Sequence, residues 1–278
     1  MKERAFYYGE SNRGLGTIIV PEVTDEASPI VVMLNSGLLD RREPFRLNVL
    51  ACRRLAAIGY IGLRVDLSGK GDTPVRNGLN NRESVALDWQ FIKKALVNQF
   101  GERNLILMGL CSGADNGIKI AAQDPSVKGL ILLDPISKRD SGYSRRAFML
   151  KLKNPYKWVG FLKRLLKRIA RLAAEDNASV HPISLRDLPN DLDLQQCFRQ
   201  LVTAKGRVFA LFTSYSLFHY NQKGQYTRAM GLSGMADICD EYFWPHVQHL
   251  YPVEYHREQL LDALCDWCAM HLNRFRSK

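Results

Sequence analysis

Apolar residues come in short runs at regular intervals along this chain. "GTIIVP", "PIVVML", "YIGLRVD", "NLILMG", "KGLILLD" and "RVFALFT" are rich in Val, Ile and Leu and do not alternate with polar residues. That pattern predicts strands buried on both faces, as in a sheet covered by helices on each side. Between the runs the period changes. "RLNVLACRRLAAIG" and "ADNGIKIAAQ" read as helices, and in "SVALDWQFIKKALVNQFG" Val85, Trp89, Ile92 and Leu96 fall on one helical face. Strand and helix in alternation predict an α/β fold, with a mainly parallel sheet and helices on both faces.

The alternation breaks after Asp134. About seventy residues pass before the next strand at Arg207, more than a crossover of this kind needs. Inside lies "KWVGFLKRLLKRIARLAAE", where Trp158, Phe161, Leu162, Leu165, Leu166, Ile169 and Leu172 share one face. This predicts an amphipathic helix with a basic outer side. Residues 136–204 therefore read as a basic helical cap inserted into a core made of residues 1–135 and 205–278.

Composition changes the picture at that insert. The chain has 278 residues, 46% of them hydrophobic, and a formal net charge of +11. It is long enough to bury a large core without staples. Between Ile136 and Ala178, twelve Lys and Arg face three Asp and Glu, an excess of +9. Charge concentrated in one segment points to a local anionic partner, such as a phosphopantetheine arm, an acidic carrier or an anionic glycan. With no RNP, helix-turn-helix or zinc-finger pattern, a nucleic-acid partner is not expected. The basic helix also has the make-up of a segment that lies on an anionic membrane surface, although no run reaches the ~18 apolar residues of a span.

Six cysteines are scattered along the length. The start, "MKERAFYYGESNRG", lacks the apolar run of an export signal, so reduced thiols and a cytoplasmic location are expected, peripheral to the inner membrane face if the basic helix binds lipid. Cys265 and Cys268 form a C-x-x-C inside a helical stretch with no second ligand pair nearby, so neither metal nor cofactor is expected.

The candidate chemistry sits in "LILMGLCSGADNG". A strand, a tight turn and a helix follow one another, and Gly109-Leu110-Cys111-Ser112-Gly113 fits G-x-S-x-G with cysteine in the nucleophile's place. The nucleophile of such an elbow sits on a strained turn, where side chains on its neighbours clash. If Cys111 is in register, both glycines have a reason. If Ser112 attacks instead, both are misplaced. A small buried cysteine with only a packing role is the plainer alternative. In "LRVDLSGKGDT", the D-x-x-G-x-G-D loop reads as a glycine turn capped by Asp66.

Taken with "NSGLLDRREPFRLNVLACRRLAAIGYIGLRVDLSGKGDT" and "MLKLKNPYKW", these pieces resemble the α/β-hydrolases over nearly the whole chain. More narrowly, they resemble the hydrolase-like proteins of bacterial exopolysaccharide and exosortase systems. The resemblance implies a hydrolase of esters or thioesters, or an acyltransferase, working through an acyl-enzyme. It implies an oxyanion hole from the N–H groups of Leu38, in the "NSGLL" loop, and of Ser112. In this fold the histidine comes last, which points among six histidines to His249, ahead of His246 and His256. The acid ordinarily follows the strand "RVFALFT", yet no Asp or Glu lies between Thr213 and Met235. Asp134, at the end of "KGLILLD", is the first alternative. Asp237, Asp240 and Glu241 come next, read as a loop before the last strand, and a Cys–His dyad without an acid also suffices for a thiol. The missing acid equally allows a catalytically silent interaction protein on the same scaffold.

Overall fold

The structure, a computed structural model, describes residues 1–24, 26–152 and 186–276. Its centre is an eight-stranded sheet in the order β1-β2-β4-β3-β5-β6-β7-β8. The strands are β1 (Lys2–Tyr8), β2 (Gly14–Val20), β3 (Ile30–Leu34), β4 (Ile61–Val65), β5 (Leu105–Leu110), β6 (Val127–Leu133), β7 (Arg207–Thr213) and β8 (Cys239–Trp244). From β4 through β8 every neighbouring pair is parallel, whereas β1 and β2 run antiparallel.

The five central apolar runs form β3 to β7, and their residues are buried throughout β3, β4 and β5. "GTIIVP" forms β2, but as an antiparallel strand outside the parallel set. Two strands carry no apolar run. β1, "KERAFYY", and β8, "CDEYFW", are the edges of the sheet. An edge strand pairs on one side only and keeps polar side chains facing water, so the buried-run pattern does not mark it.

Helices cover both faces. α1 (Leu47–Ala57) and α8 (Glu254–Phe275) pack one side, with Leu55, Leu260, Leu264 and Trp267 in a core shared with Val31, Met108 and Phe209. α2 (Asn81–Phe100) and α3 (Ser112–Ala121) pack the other, with Trp89, Ile92 and Ile118 against Val32, Leu107 and Leu130. α2 begins at a capping box, in which Asn80 and Glu83 satisfy each other's backbone N–H groups.

The proposed insert divides. α4 (Tyr143–Leu152) opens it, and the basic amphipathic stretch from Lys157 lies outside the described residues. Its last part, α5 (Asp191–Thr203), is a sheet helix: Leu194, Cys197, Phe198 and Leu201 share the core of Val208 and Ala210. Its apolar stripe is thereby buried in the core on that face of the sheet. Two short helices, α6 (Gln225–Met230) and α7 (Met235–Ile238), lead into β8. No helix among the described residues is long and apolar enough to cross a membrane.

Candidate active site

The parallel strands β3, β5, β6 and β7 end on one side of the sheet, where open α/β folds gather their functional loops. Cys111 follows β5 directly, at φ 54° and ψ −119°. This is a costly conformation for a residue with a side chain, and such strain gathers at functional sites. The glycines around it are steric necessities. A Cβ on Gly109 would stand 2.2 Å from the Gly113 carbonyl carbon, and one on Gly113 would stand 2.7 Å from Leu34 O. The turn therefore closes only with glycine at both places, which fixes the register on Cys111.

Ser112 opens α3, where the first N–H groups of a helix have no partner in the helix itself. Its hydroxyl is already engaged: Oγ accepts from Gly37 N at 2.8 Å, tying the elbow to the loop after β3. That loop is braced from several directions. Ser36 donates from N (2.5 Å) and Oγ (2.8 Å) to buried Glu43, and Lys70 Nζ reaches Asn35 O at 3.3 Å. Burial pushes the Glu43 pKa up to about 7 against the pull of its Ser36 hydrogen bonds. Leu38 lies at the loop's tip with an exposed side chain. Asp66 is fully buried and accepts from Arg41 N and Nη1, each at 2.5 Å, and from Asp72 N at 3.1 Å. It ties the loop after β4 to the loop after β3.

His249 follows β8, and its Nδ1 lies 2.7 Å from Asp134 Oδ2. Cys111 adjoins the same ring closely enough for its charge to act on it. Burial alone would lower the His249 pKa, but the hydrogen bonds and charges of Asp134 and Cys111 outweigh it and raise it to about 9. Tyr215 stacks on the imidazole, with centroids 4.0 Å apart and planes 17° apart.

Asp134 ends β6 at φ 49° and is fully buried. Besides His249 it accepts from Thr213 N (2.7 Å), Thr213 Oγ1 (2.6 Å) and Ser216 Oγ (2.6 Å). The last residue of β7 and the acid-free loop after it instead supply these donors. Cys111, His249 and Asp134 thus come together across three strand ends. The other acids do not join them. Asp237 lies in α7, while Asp240 and Glu241 lie within β8 rather than in a loop before it. Asp240 accepts from Trp267 Nε1 at 2.8 Å and Glu241 from the Tyr220 hydroxyl at 2.5 Å, both structural bonds. His246 and His256 stack edge to face on each other, 5.6 Å apart.

Thr213, Tyr215 and Ser216 carry no pattern in the sequence that marks them. Their one signal is the hydroxyl-rich "TSYS" standing where an acid was sought. Arg186 was equally unmarked. Its Nε donates to Asp115 Oδ2 at 2.9 Å, and its Nη2 reaches the same oxygen. Asp115 sits four residues beyond Cys111, on the first turn of α3.

No family model matches the sequence, and no curated protein sequence matches it. Solved structures do. An esterase from Pyrococcus furiosus is similar with a TM-score of 0.59 at 12% identity, over 98% of this chain and 91% of that one. Est1E from Butyrivibrio proteoclasticus is similar with a TM-score of 0.59 at 14% identity, over 97% and 99%. A dienelactone hydrolase from Anabaena variabilis is similar with a TM-score of 0.56 at 12% identity, over 98% and 99%. At these identities the likeness concerns the fold: the chain has the α/β-hydrolase fold along its length.

Proposed function

We propose that the protein is a hydrolase of esters or thioesters that works through an acyl-enzyme on Cys111. The observation that carries this reading is Cys111 on a strained glycine-flanked elbow beside His249, whose Nδ1 lies 2.7 Å from Asp134 Oδ2. Cys111 Sγ attacks the carbonyl carbon, and His249 holds the thiol's proton. The N–H groups of Leu38 and Ser112 receive the charge that develops on the carbonyl oxygen. His249 then protonates the departing alcohol or thiol as the C–O or C–S bond breaks. Water attacks the acyl-cysteine, gives its proton to His249, and the acid leaves as the thiol is restored. Asp134 orients the imidazole and stabilises its charged form. If an acceptor alcohol or amine replaces water, the same steps make an acyltransferase.

The basic segment from Ile136 to Ala178 supports an anionic or carrier-bound substrate, and the resemblance to exopolysaccharide-system proteins supports a glycan-linked one. It also supports a peripheral cytoplasmic location on anionic lipid.

The test is hydrolysis of short p-nitrophenyl esters and acyl thioesters, with the acyl group located by mass spectrometry after acid quench. Acylation is expected on Cys111, with turnover lost in Cys111→Ala and His249→Ala. Acyl label found on Ser112 or spread over the other five cysteines would overturn the assignment.

A further inference from the structure

Two polar groups beside the catalytic line have no hydrogen-bond partner among the described residues. One is Arg186 Nη1 and the other is the His219 ring, at both nitrogens. Neither is at the surface, since the Arg186 side chain is 6% exposed and His219 is 5% exposed. Buried polar atoms are ordinarily satisfied, and leaving one bare costs about 1–3 kcal/mol. Two together next to a nucleophile need a physical reason.

Their neighbours supply it. Arg186 is held by Asp115 through Nε and Nη2, which leaves Nη1 as the guanidinium's uncommitted end. Asp115 N in turn donates to Cys111 O at 3.1 Å, so the pair stands one helical turn from the nucleophile, and the Arg186 charge acts on Cys111. His219 N donates to Ser216 O at 2.9 Å and Ser216 Oγ donates to Asp134 at 2.6 Å, so the ring sits on the loop that borders the catalytic line. Burial, reinforced by Arg186, pushes its pKa down to about 4, so the ring is neutral and offers one N–H donor. Asp115 is fixed in turn by Ile136 N at 3.1 Å on its other oxygen. The Asp115–Arg186 pair is therefore a built support for a cationic N–H at the first turn of the helix that follows the thiol.

We infer that this corner is an anion subsite: the acyl or leaving group carries a carboxylate close to the scissile carbonyl, received by Arg186 Nη1 and the His219 N–H. A carboxylate suits two separate donors because each of its oxygens takes one. This deepens the reading of Cys111 as a nucleophile and rests on it. It also places substrate selection beside the nucleophile, apart from the basic segment.

The test compares two reagents of one shape and different charge. Cys111 Sγ displaces iodide from iodoacetate, which is anionic, and from iodoacetamide, which is neutral. The ratio of the two labelling rates cancels the thiol's own reactivity. In the unmodified protein that ratio is expected to exceed, by about tenfold or more, the ratio in the Arg186→Gln/Asp115→Asn double variant. The double variant removes the pair together, so no lone buried charge remains. Arg186→Lys is expected to fall between. A ratio unchanged in the double variant overturns the inference. A second measurement needs no variant: malonate is expected to slow iodoacetamide labelling of Cys111 while malonamide does not, and equal effects of the two overturn it. Neither measurement depends on ester turnover. A charge preference with no acyl-enzyme from any ester defeats the proposed reaction alone, and turnover with no charge preference defeats the subsite alone.

Discussion

The elbow after β5 and the acid corner at the ends of β6 and β7 do comparable work by opposite means. At the elbow, five consecutive residues hold the geometry, and the constraint is steric: Gly109 and Gly113 touch backbone where any side chain would collide. At the acid corner the constraint is electrostatic and scattered. The carboxylate of Asp134 ends one strand, its donors Thr213 and Ser216 belong to the next, and His249 arrives from a third. Contiguous steric constraints tolerate no substitution. Distributed hydrogen bonds share the load, so single losses there should be graded.

The largest expected effect is at the elbow. Cys111→Ala should lower kcat/KM by about a thousandfold or more, measured on whichever ester proves the best substrate, because the covalent step has no substitute. Next comes Asp134→Asn, with a loss of about a hundredfold and a second signature. Asp134 helps raise the His249 pKa to about 9, so its removal should move the alkaline limb of kcat/KM, where the imidazolium loses its proton, to lower pH. The sign extends to stability. A histidine raised from 6.5 to about 9 contributes stability that is fully present below 6.5 and is lost as pH rises through about 9. Urea unfolding across that range should show the loss in the native protein and less of it in Asp134→Asn.

Gly113→Ala tests the steric side alone. It should destabilise the fold by about 2–3 kcal/mol in urea titrations, since Leu34 O cannot yield without moving β3. Ser216→Ala removes one of four groups around Asp134 and should cost about tenfold in kcat/KM or less. Ser112→Ala should be the mildest, at about threefold, because it loses the bond to Gly37 N while keeping its own N–H. A larger loss in Ser112→Ala than in Cys111→Ala would reverse the comparison and make the serine the attacker.

The elbow was legible because its requirement is local. A strand, a helix and two glycines at fixed spacing mean one turn, and the register follows from sterics within it. Asp134 is marked only through the resemblance, as the alternative to the acid missing after "RVFALFT". The other acids could be set aside only once β8 was seen to contain Asp240 and Glu241. The last run of "DICDEYFW" gives no buried-strand signal, because an edge strand need not be apolar on both faces. α5 shows the same limit. Its amphipathic stripe is plain in the sequence, yet the stripe alone does not say whether it faces a cap or the sheet.

By itself the sequence determined the alternation of strands and helices and the elbow with its glycines. Each is a consequence of periodicity or of contacts within a few residues. Only the tertiary structure decided which carboxylate meets His249, that Ser112 Oγ is spent on the loop after β3, and that Arg186 stands on Asp115 beside the thiol. Those choices depend on side chains about 70 to 115 residues apart in the chain. They are set by which strands lie side by side, and no spacing in the sequence records that order.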